Sequence, residues 1–247
     1  MTRPPLAREN PDGSRTYHHP LTGEKYPSVT TILDVISKPQ LVPWSARMAA
    51  EYAVAEWDSL TELDPPERIA SIKEAHVRVA TDAAVKGDAV HKIVDSWMSG
   101  RPQPDYPKTI APFISNFISF LTEVRPVFLE TEATLLSREH GFAGTCDWIA
   151  EIAGVTCLGD NKTGKRVYPE AALQLSALAA CTVILREDGT EDPLPEFGRL
   201  LVLHIRPRSW HLHEVTARDS ALKTFLAARD IWQWQNEVAD HALRQVA

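Results

Sequence analysis

The stretch Gly144-Thr145-Cys146-Asp147-Trp148-Ile149-Ala150-Glu151-Ile152-Ala153-Gly154-Val155-Thr156-Cys157-Leu158-Gly159-Asp160-Asn161-Lys162 decides how this chain is read. Its two halves, Gly144 to Ile152 and Val155 to Lys162, read as strands joined through Ala153-Gly154. In the first, Cys146, Trp148, Ala150 and Ile152 alternate with Thr145, Asp147 and Glu151, the period-two pattern of a strand with one packed face. A two-residue turn pairs Ile152 with Val155, and counting back sets Asp147 opposite Asp160. Ala-Gly is a weaker hairpin dipeptide than Asn-Gly, so the turn leaves room for a slipped register.

Residues opposed on one face of a hairpin have Cβ atoms about 4.5–5.5 Å apart, and like charges there repel. A divalent cation held by oxygen ligands offsets that repulsion; Mg²⁺ typically takes one or two carboxylates and keeps water or substrate phosphate in its remaining positions. Lys162 lies two residues beyond Asp160 and so shares its face. There an ammonium can steady an attacking water or a phosphate oxygen.

Standing alone, an Asp-x-Lys is usually a solvated strand face. Here it is followed by the turn Thr163-Gly164-Lys165 and accompanied by two polar signals on helical segments. One is Lys86-Gly87-Asp88-Ala89-Val90-His91, in a segment where Val90, Ile93, Val94 and Trp97 recur at helical spacing. His91 lies one turn beyond Gly87, and a glycine inside a helix costs about 1 kcal/mol relative to alanine, which points to a close approach at that surface. The other is Gln174, in the apolar run Pro169-Glu170-Ala171-Ala172-Leu173-Gln174-Leu175-Ser176-Ala177-Leu178, where a proline in the first turn starts a buried helix.

Together these residues resemble the PD-(D/E)XK nuclease superfamily, in its RecB-like and phage-type exonuclease branch. The resemblance rests on Gly87 and His91 as a helical G-x-x-x-H, Glu132 as an acidic strand residue, Gly144 to Asp147 as G-x-x-D, and Asp160 to Gly164 as D-x-K-T-G. Gln174-Leu175 match a Q-L-x-x-Y helix, in which Leu178 replaces the tyrosine. A further likeness to phage-encoded members lies in Tyr26-Pro27-Ser28-Val29-Thr30-Thr31-Ile32-Leu33, with Leu41 and Trp44. The match runs in order from about Pro27 to Gln174.

The resemblance implies a restriction-endonuclease-like α/β core with a central mixed sheet flanked by helices, preceded by a mainly helical N-terminal portion. It implies one or two Mg²⁺ or Mn²⁺ ions held by His91, Asp147, Asp160 and the backbone carbonyl of Asn161, with Glu132 as an additional acid. Lys162, Asp160, Asp147 and Gln174 are then the catalytic set. The implied activity is hydrolysis of phosphodiesters at DNA ends in phage recombination or replication, with a recombination or single-strand-annealing protein as a partner. A structure-specific endonuclease of the same fold and a catalytically silent DNA-binding or assembly module are the alternatives; the missing tyrosine is what speaks for the latter.

Composition is compatible with this reading. A chain of 247 residues, 44% hydrophobic, can bury a full core, and is read as one domain with an N-terminal arm and helical extension over 1–80 and a catalytic core over 81–247. A net charge of −7 argues against a protein that coats polyanions generally. Local basic clusters can still hold phosphates, and Lys165 with Arg166, and Arg206 with Arg208, are the candidates for DNA contact. Cys146, Cys157 and Cys181 are widely separated in apolar segments, which predicts buried thiols, and they are too few for a four-cysteine iron–sulfur cluster. No signal peptide or apolar run of bilayer length is visible, so a cytoplasmic setting in a bacterial or phage-infected cell is expected, with no membrane partner.

Elsewhere, residues 1–26 read as an irregular arm with a turn at Pro20 to Gly23 and with His18 and His19 at the surface. A short strand and helix cover 27–37. Pro43 begins a helix carrying Trp44, Met48 and Tyr52, and Pro65-Pro66 separate it from helical sequence over 67–98. Ile110, Phe113, Ile114, Phe117, Ile118 and Leu121 define an amphipathic core helix. Residues 186–198 read as an acidic loop, and strands follow at Leu200 to Ile205 and His211 to Val215. Thr216 to Asp219 then resembles a capping box for the last helix, along which Leu222, Phe225, Leu226 and Trp232 pack inward.

Overall fold

Ala153 and Gly154 both adopt left-handed backbone angles, with φ of 51° and 76°, and this tight turn matches the right-handed twist of the strands it joins. It sets the register from Ile152↔Val155 back to Trp148↔Gly159, as the residue count predicts. The two strands, β5 (Phe142–Ile152) and β6 (Val155–Lys162), lie at the centre of a seven-stranded sheet. The computed structural model describes residues 6–243.

The remaining strands of that sheet are β4 (Val127–Ser137), β7 (Val183–Leu185), β8 (Glu191–Pro193), β9 (Arg199–Ile205) and β10 (Trp210–Glu214). Their order is β10-β9-β6-β5-β4-β7-β8. Only β6 and β9 run parallel, which requires the crossover through helix α7 (Glu170–Ala179). Helices cover both faces. On one, Leu158, Leu200 and Val202 of the sheet pack with α1 (Val29–Leu33), α7 and α8 (Arg218–Gln233) through Val29, Leu175, Leu178 and Phe225. On the other, Trp148, Ala150, Cys157, Leu201 and Leu203 pack with α5 (Ala75–Met98) and α6 (Ala111–Val124) through Val90, Ile93, Phe113 and Phe117.

Because both faces are covered, the expected one-sided alternation of β5 does not hold. Ile149 is as buried as Trp148, on the opposite face, and Cys146 shares the Ile149 side rather than the Trp148 side. The parity therefore changes at Asp147. There the backbone pairing is interrupted: β4 pairs Thr131↔Trp148 and Ala133↔Cys146, while Glu132 between them has φ of 51°.

Residues 6–27 are ordered where an irregular arm was expected. Strands β1 (Ala7–Glu9), β2 (Arg15–His18) and β3 (Lys25–Pro27) form a small antiparallel sheet. It is fastened to the main sheet by Tyr17, whose hydroxyl lies 2.8 Å from Thr145 Oγ1, and by a bridge between Ser28 and Ala143. His19, expected at the surface, is 4% exposed and lies 3.0 Å from Glu191. Such pairings join residues far apart in sequence and leave no local periodicity to read. The loop expected over 186–198 contains the edge strand β8. Ahead of α8 the capping box does not form: Ala217 is the N-cap, with no side-chain cap bond, and Arg218 donates to the carbonyls of Phe197 and Gly198.

Among the described residues, 6–36 and 89–243 make up one compact unit and 37–88 a second. The second contains α2 (Leu41–Ala55), α3 (Trp57–Thr61), α4 (Pro65–Lys73) and the first part of α5. Pro65 and Pro66 fall at the expected break, after α3 and in the first turn of α4, with the Asp64 carboxylate accepting from the Glu67 N–H at 2.9 Å. Leu60 is buried, Arg68 donates to the carbonyls of Leu60 and Leu63, and the Arg78 guanidinium sits 4.4 Å from the centre of the Tyr52 ring. Cys146, Cys157 and Cys181 are buried and unbridged. Among the described residues, no helix is long and apolar enough to cross a membrane.

Candidate active site

Strand alternation along β6 sorts three consecutive polar residues. Asp160 and Lys162 share the Leu158 side, toward α7, while the Asn161 amide turns to the other face, where its Oδ1 accepts from the Trp148 indole at 3.0 Å. Trp148 reaches that position because its cross-strand partner is Gly159: a Cβ there would lie 1.9 Å from the indole ring. Asp160 and Asn161 are buried, at 3% and 1% exposure, at the end of the sheet.

Lys162 Nζ donates to Asp160 Oδ1 at 2.8 Å and to Gln174 Oε1 at 3.3 Å. Asp160 Oδ2 is also 2.8 Å from Nζ but is buried without a hydrogen bond of acceptable geometry. Burial pushes the Asp160 carboxyl up, against the pull of the Lys162 ammonium, and the Asp147 charge adds to the rise. For Lys162, burial opposes the charged form, but Asp160 and Asp147 outweigh it and hold the group above its ordinary value. The lysine therefore stays an ammonium at neutral pH. It is a donor and a source of positive field, not a base.

Asp147 stands next to this pair in a way the residue count does not anticipate. The regular ladder ends at Trp148↔Gly159, and the Asp147 carboxylate, instead of facing Asp160 squarely, accepts the Asn161 backbone N–H at 2.5 Å through Oδ2. The same oxygen lies 3.6 Å from His91 Nδ1 on α5. Glu132, across from Asp147 on β4, is pushed up to about 8 by burial and by the charges of Asp147 and Asp95. A non-glycine residue in a left-handed conformation within a strand, crowding carboxylates, is the kind of local strain that collects at functional sites.

Two parts of this site escaped the reading of the sequence. Asp95, one turn beyond His91 on α5, is 9% exposed, pairs with Arg101 and leaves Oδ1 without a bond; its i+4 spacing from His91 was the available signal. Arg15 and Asp95 both act on Glu132, and Arg15 comes from the N-terminal sheet, which only tertiary packing brings near. Leu178, where a tyrosine was expected, is 1% exposed in the core. A Cβ on Gly144 would lie 2.7 Å from Leu178 Cδ2, so glycine and leucine fit together there.

The two expected basic clusters meet at Gly164. Its carbonyl accepts from Arg206 at 2.6 Å and lies 2.8 Å from His204 Nε2. Lys165 and Arg166 are exposed in the loop that follows, the Arg166 guanidinium 4.5 Å from the centre of the Tyr168 ring, and Arg208 is exposed in the turn between β9 and β10.

Among the described residues, no three His, Cys, Asp or Glu side chains converge as a metal-holding group. The donors suit a hard cation in kind. They comprise the Asp147 and Asp160 carboxylates and the His91 imidazole, with a buried Asp160 oxygen left without a hydrogen bond and with the Asp147 charge raising both Asp160 and Glu132.

No family model and no curated protein matches the chain. Among solved structures, a similar chain is that of SSO0001, at 12% identity and a TM-score of 0.32, with 75% of this chain and 70% of that one covered. A likeness that slight carries no argument. What stands on its own is a mixed α/β structure with a large mixed sheet flanked by helices, and a polar site at the end of its central strands.

Proposed function

We propose that the protein is a metal-dependent DNA exonuclease with a restriction-endonuclease-like core, acting on free DNA ends in phage recombination or replication. The observation that carries the reading is the Asp160–Lys162–Gln174 contact set beside Asp147. Asp160 on β6 and Gln174 on α7, 14 residues apart in sequence, are gathered around one ammonium. The resemblance of Gly87 to His91, Gly144 to Asp147 and Asp160 to Gly164 to the PD-(D/E)XK pattern supplies the reaction class.

Asp147, Asp160, His91 and the Asn161 carbonyl would hold one or two Mg²⁺ or Mn²⁺ ions, with Glu132 as a further acid. Such an ion, when bound, lowers the pKa of its water and stabilises phosphate charge. Lys162 has three N–H donors; two engage Asp160 and Gln174, and the third is available to an attacking water or a phosphate oxygen. Its half-buried setting beside buried Asp160 strengthens that interaction relative to water. Gln174 positions Lys162, and its amide N–H₂ can donate to the scissile phosphate while Oε1 accepts from Nζ. Lys165, Arg166, Arg206 and Arg208 would hold the backbone leading to this point.

Digestion of linear and covalently closed circular DNA, with and without Mg²⁺ or Mn²⁺, tests the proposal. Loss of linear DNA alone is expected. Cutting of closed circles would replace the exonuclease reading by an endonuclease, and an intact linear substrate at every metal concentration would leave a DNA-binding or assembly module.

A further inference from the structure

The register of the outer strands lines up a set of imidazoles that the proposed chemistry does not use. Lys162 on β6 is paired with His204 on β9, and His204 with His211 on β10. One step along, Asp160 is paired with Val202 and Val202 with His213. Val202 and Leu158 belong to the α7 side of the sheet, whereas Leu203, Trp210 and Leu212 belong to the other. Alternation therefore places Asp160, Lys162, His204, His211 and His213 on one face.

The row runs from the buried pair to the open edge of the sheet, since β10 is the terminal strand. His204 is buried, while His211 and His213 are exposed. The His213 ring centre lies 6.0 Å from that of His204 and 6.3 Å from that of His211. The carboxylate next in sequence, Glu214, takes the opposite parity and pairs with Arg199 at 2.9 Å. The other polar groups placed on this side are Asp160 and Lys162 of β6, Gln174 of α7, which accepts from Lys162, and Arg206, which shares the Gly164 carbonyl with His204. In a chain of net charge −7, this is a local surface able to become strongly positive.

We propose that His211 and His213 form a contact track for the phosphodiester backbone of the bound DNA strand, leading from the sheet edge toward Lys162, with buried His204 beneath it held on the Gly164 carbonyl, and that the two exposed imidazoles make DNA affinity proton-linked. The inference rests on the nuclease reading of the site. Burial, together with the neighbouring His204 and His211, lowers the His213 pKa in the free protein. A phosphate beside the ring favours the imidazolium and raises the pKa on binding. Protons are then taken up with DNA, so affinity is gained as pH falls through the bound-state pKa and is complete below the free-state value.

The test is fluorescence anisotropy with labelled single-stranded and duplex oligonucleotides, in EDTA so that nothing is cut, at about pH 6 and about pH 8, either side of the imidazole range. The wild type should bind several-fold more tightly at the lower pH. His211→Gln with His213→Gln should abolish that ratio and reduce the salt slope at the lower pH by about 0.7 per lost single-strand contact, or about 0.9 on duplex. His211→Lys with His213→Lys should bind at the higher pH as tightly as the wild type does at the lower. A pH ratio unchanged by the glutamine variant overturns the track. If linear DNA is still digested with Mg²⁺ in that case, the nuclease reading survives; a wild type that neither binds nor cuts DNA sinks both.

Discussion

From its turn to Trp148 and Gly159, the β5–β6 hairpin is an uninterrupted ladder, buried on both faces at Trp148, Ile149, Ala150, Cys157 and Leu158; beyond that point the two strands lose their regular pairing, β5 changes side-chain parity at Asp147, and four polar groups crowd together. The near half is ordinary sheet. In the far half Asp147 raises the neighbouring Asp160 on β6 and Glu132 on β4, and Glu132 takes a left-handed backbone conformation within its strand. A strand can thus supply stability over one stretch and chemistry over the next.

The largest effect that would break this division is on catalysis. Lys162→Ala or Asp160→Asn should reduce metal-dependent DNA cleavage by about 10²–10³-fold, the scale of removing a preorganised donor, while near-ultraviolet circular dichroism stays that of the wild type. Full cleavage by either variant would remove the far half from the mechanism.

Next comes the near half. Gly159→Ala would force a methyl group into the Trp148 indole, and overpacking of this kind costs about 1–3 kcal/mol. Urea unfolding should show that loss, and activity should fall with it because the displaced indole holds Asn161.

A pH effect sharpens the comparison. The Glu132 carboxyl is raised from 4.5 to about 8. Between those values the unfolded chain releases a proton that the folded chain keeps, so this residue's contribution is fully present below 4.5 and is lost as pH rises through about 8. In EDTA, Glu132→Gln should match the wild type in acid and exceed it in alkali by on the order of 1–3 kcal/mol, after discounting its partial exposure. Thermal melts across the pH range that run parallel for the two proteins would show that Glu132 is not under that pressure. The smallest effect belongs to the turn: Ala153→Asn, at φ of 51°, should stabilise by about 1 kcal/mol and leave cleavage unchanged.

The local patterns were legible. The hairpin, its register and the sharing of one face by Asp160 and Lys162 follow from strand periodicity and a two-residue turn. The amphipathic helix α6 and the outer strands β9 and β10 were visible for the same reason. Burial of Leu178 against Gly144, the Glu132 conformation and the role of Asp95 were not, because each depends on a neighbour on a different element. The N-terminal sheet was misread as an arm since its strands are three or four residues long, too short to establish a period.

By itself, then, the order of residues determined which side chains share a face along one strand or one turn of helix, and hence the pairing of Asp160 with Lys162 and the helical setting of His91 and Gln174. Only the tertiary structure decided that Gln174 meets Lys162, that Asp147 bonds the Asn161 N–H, and that the histidines of β9 and β10 extend the row from Lys162. The reason is physical: periodicity is a property of one backbone, whereas burial, charge coupling and cross-strand register exist only once separate elements have packed.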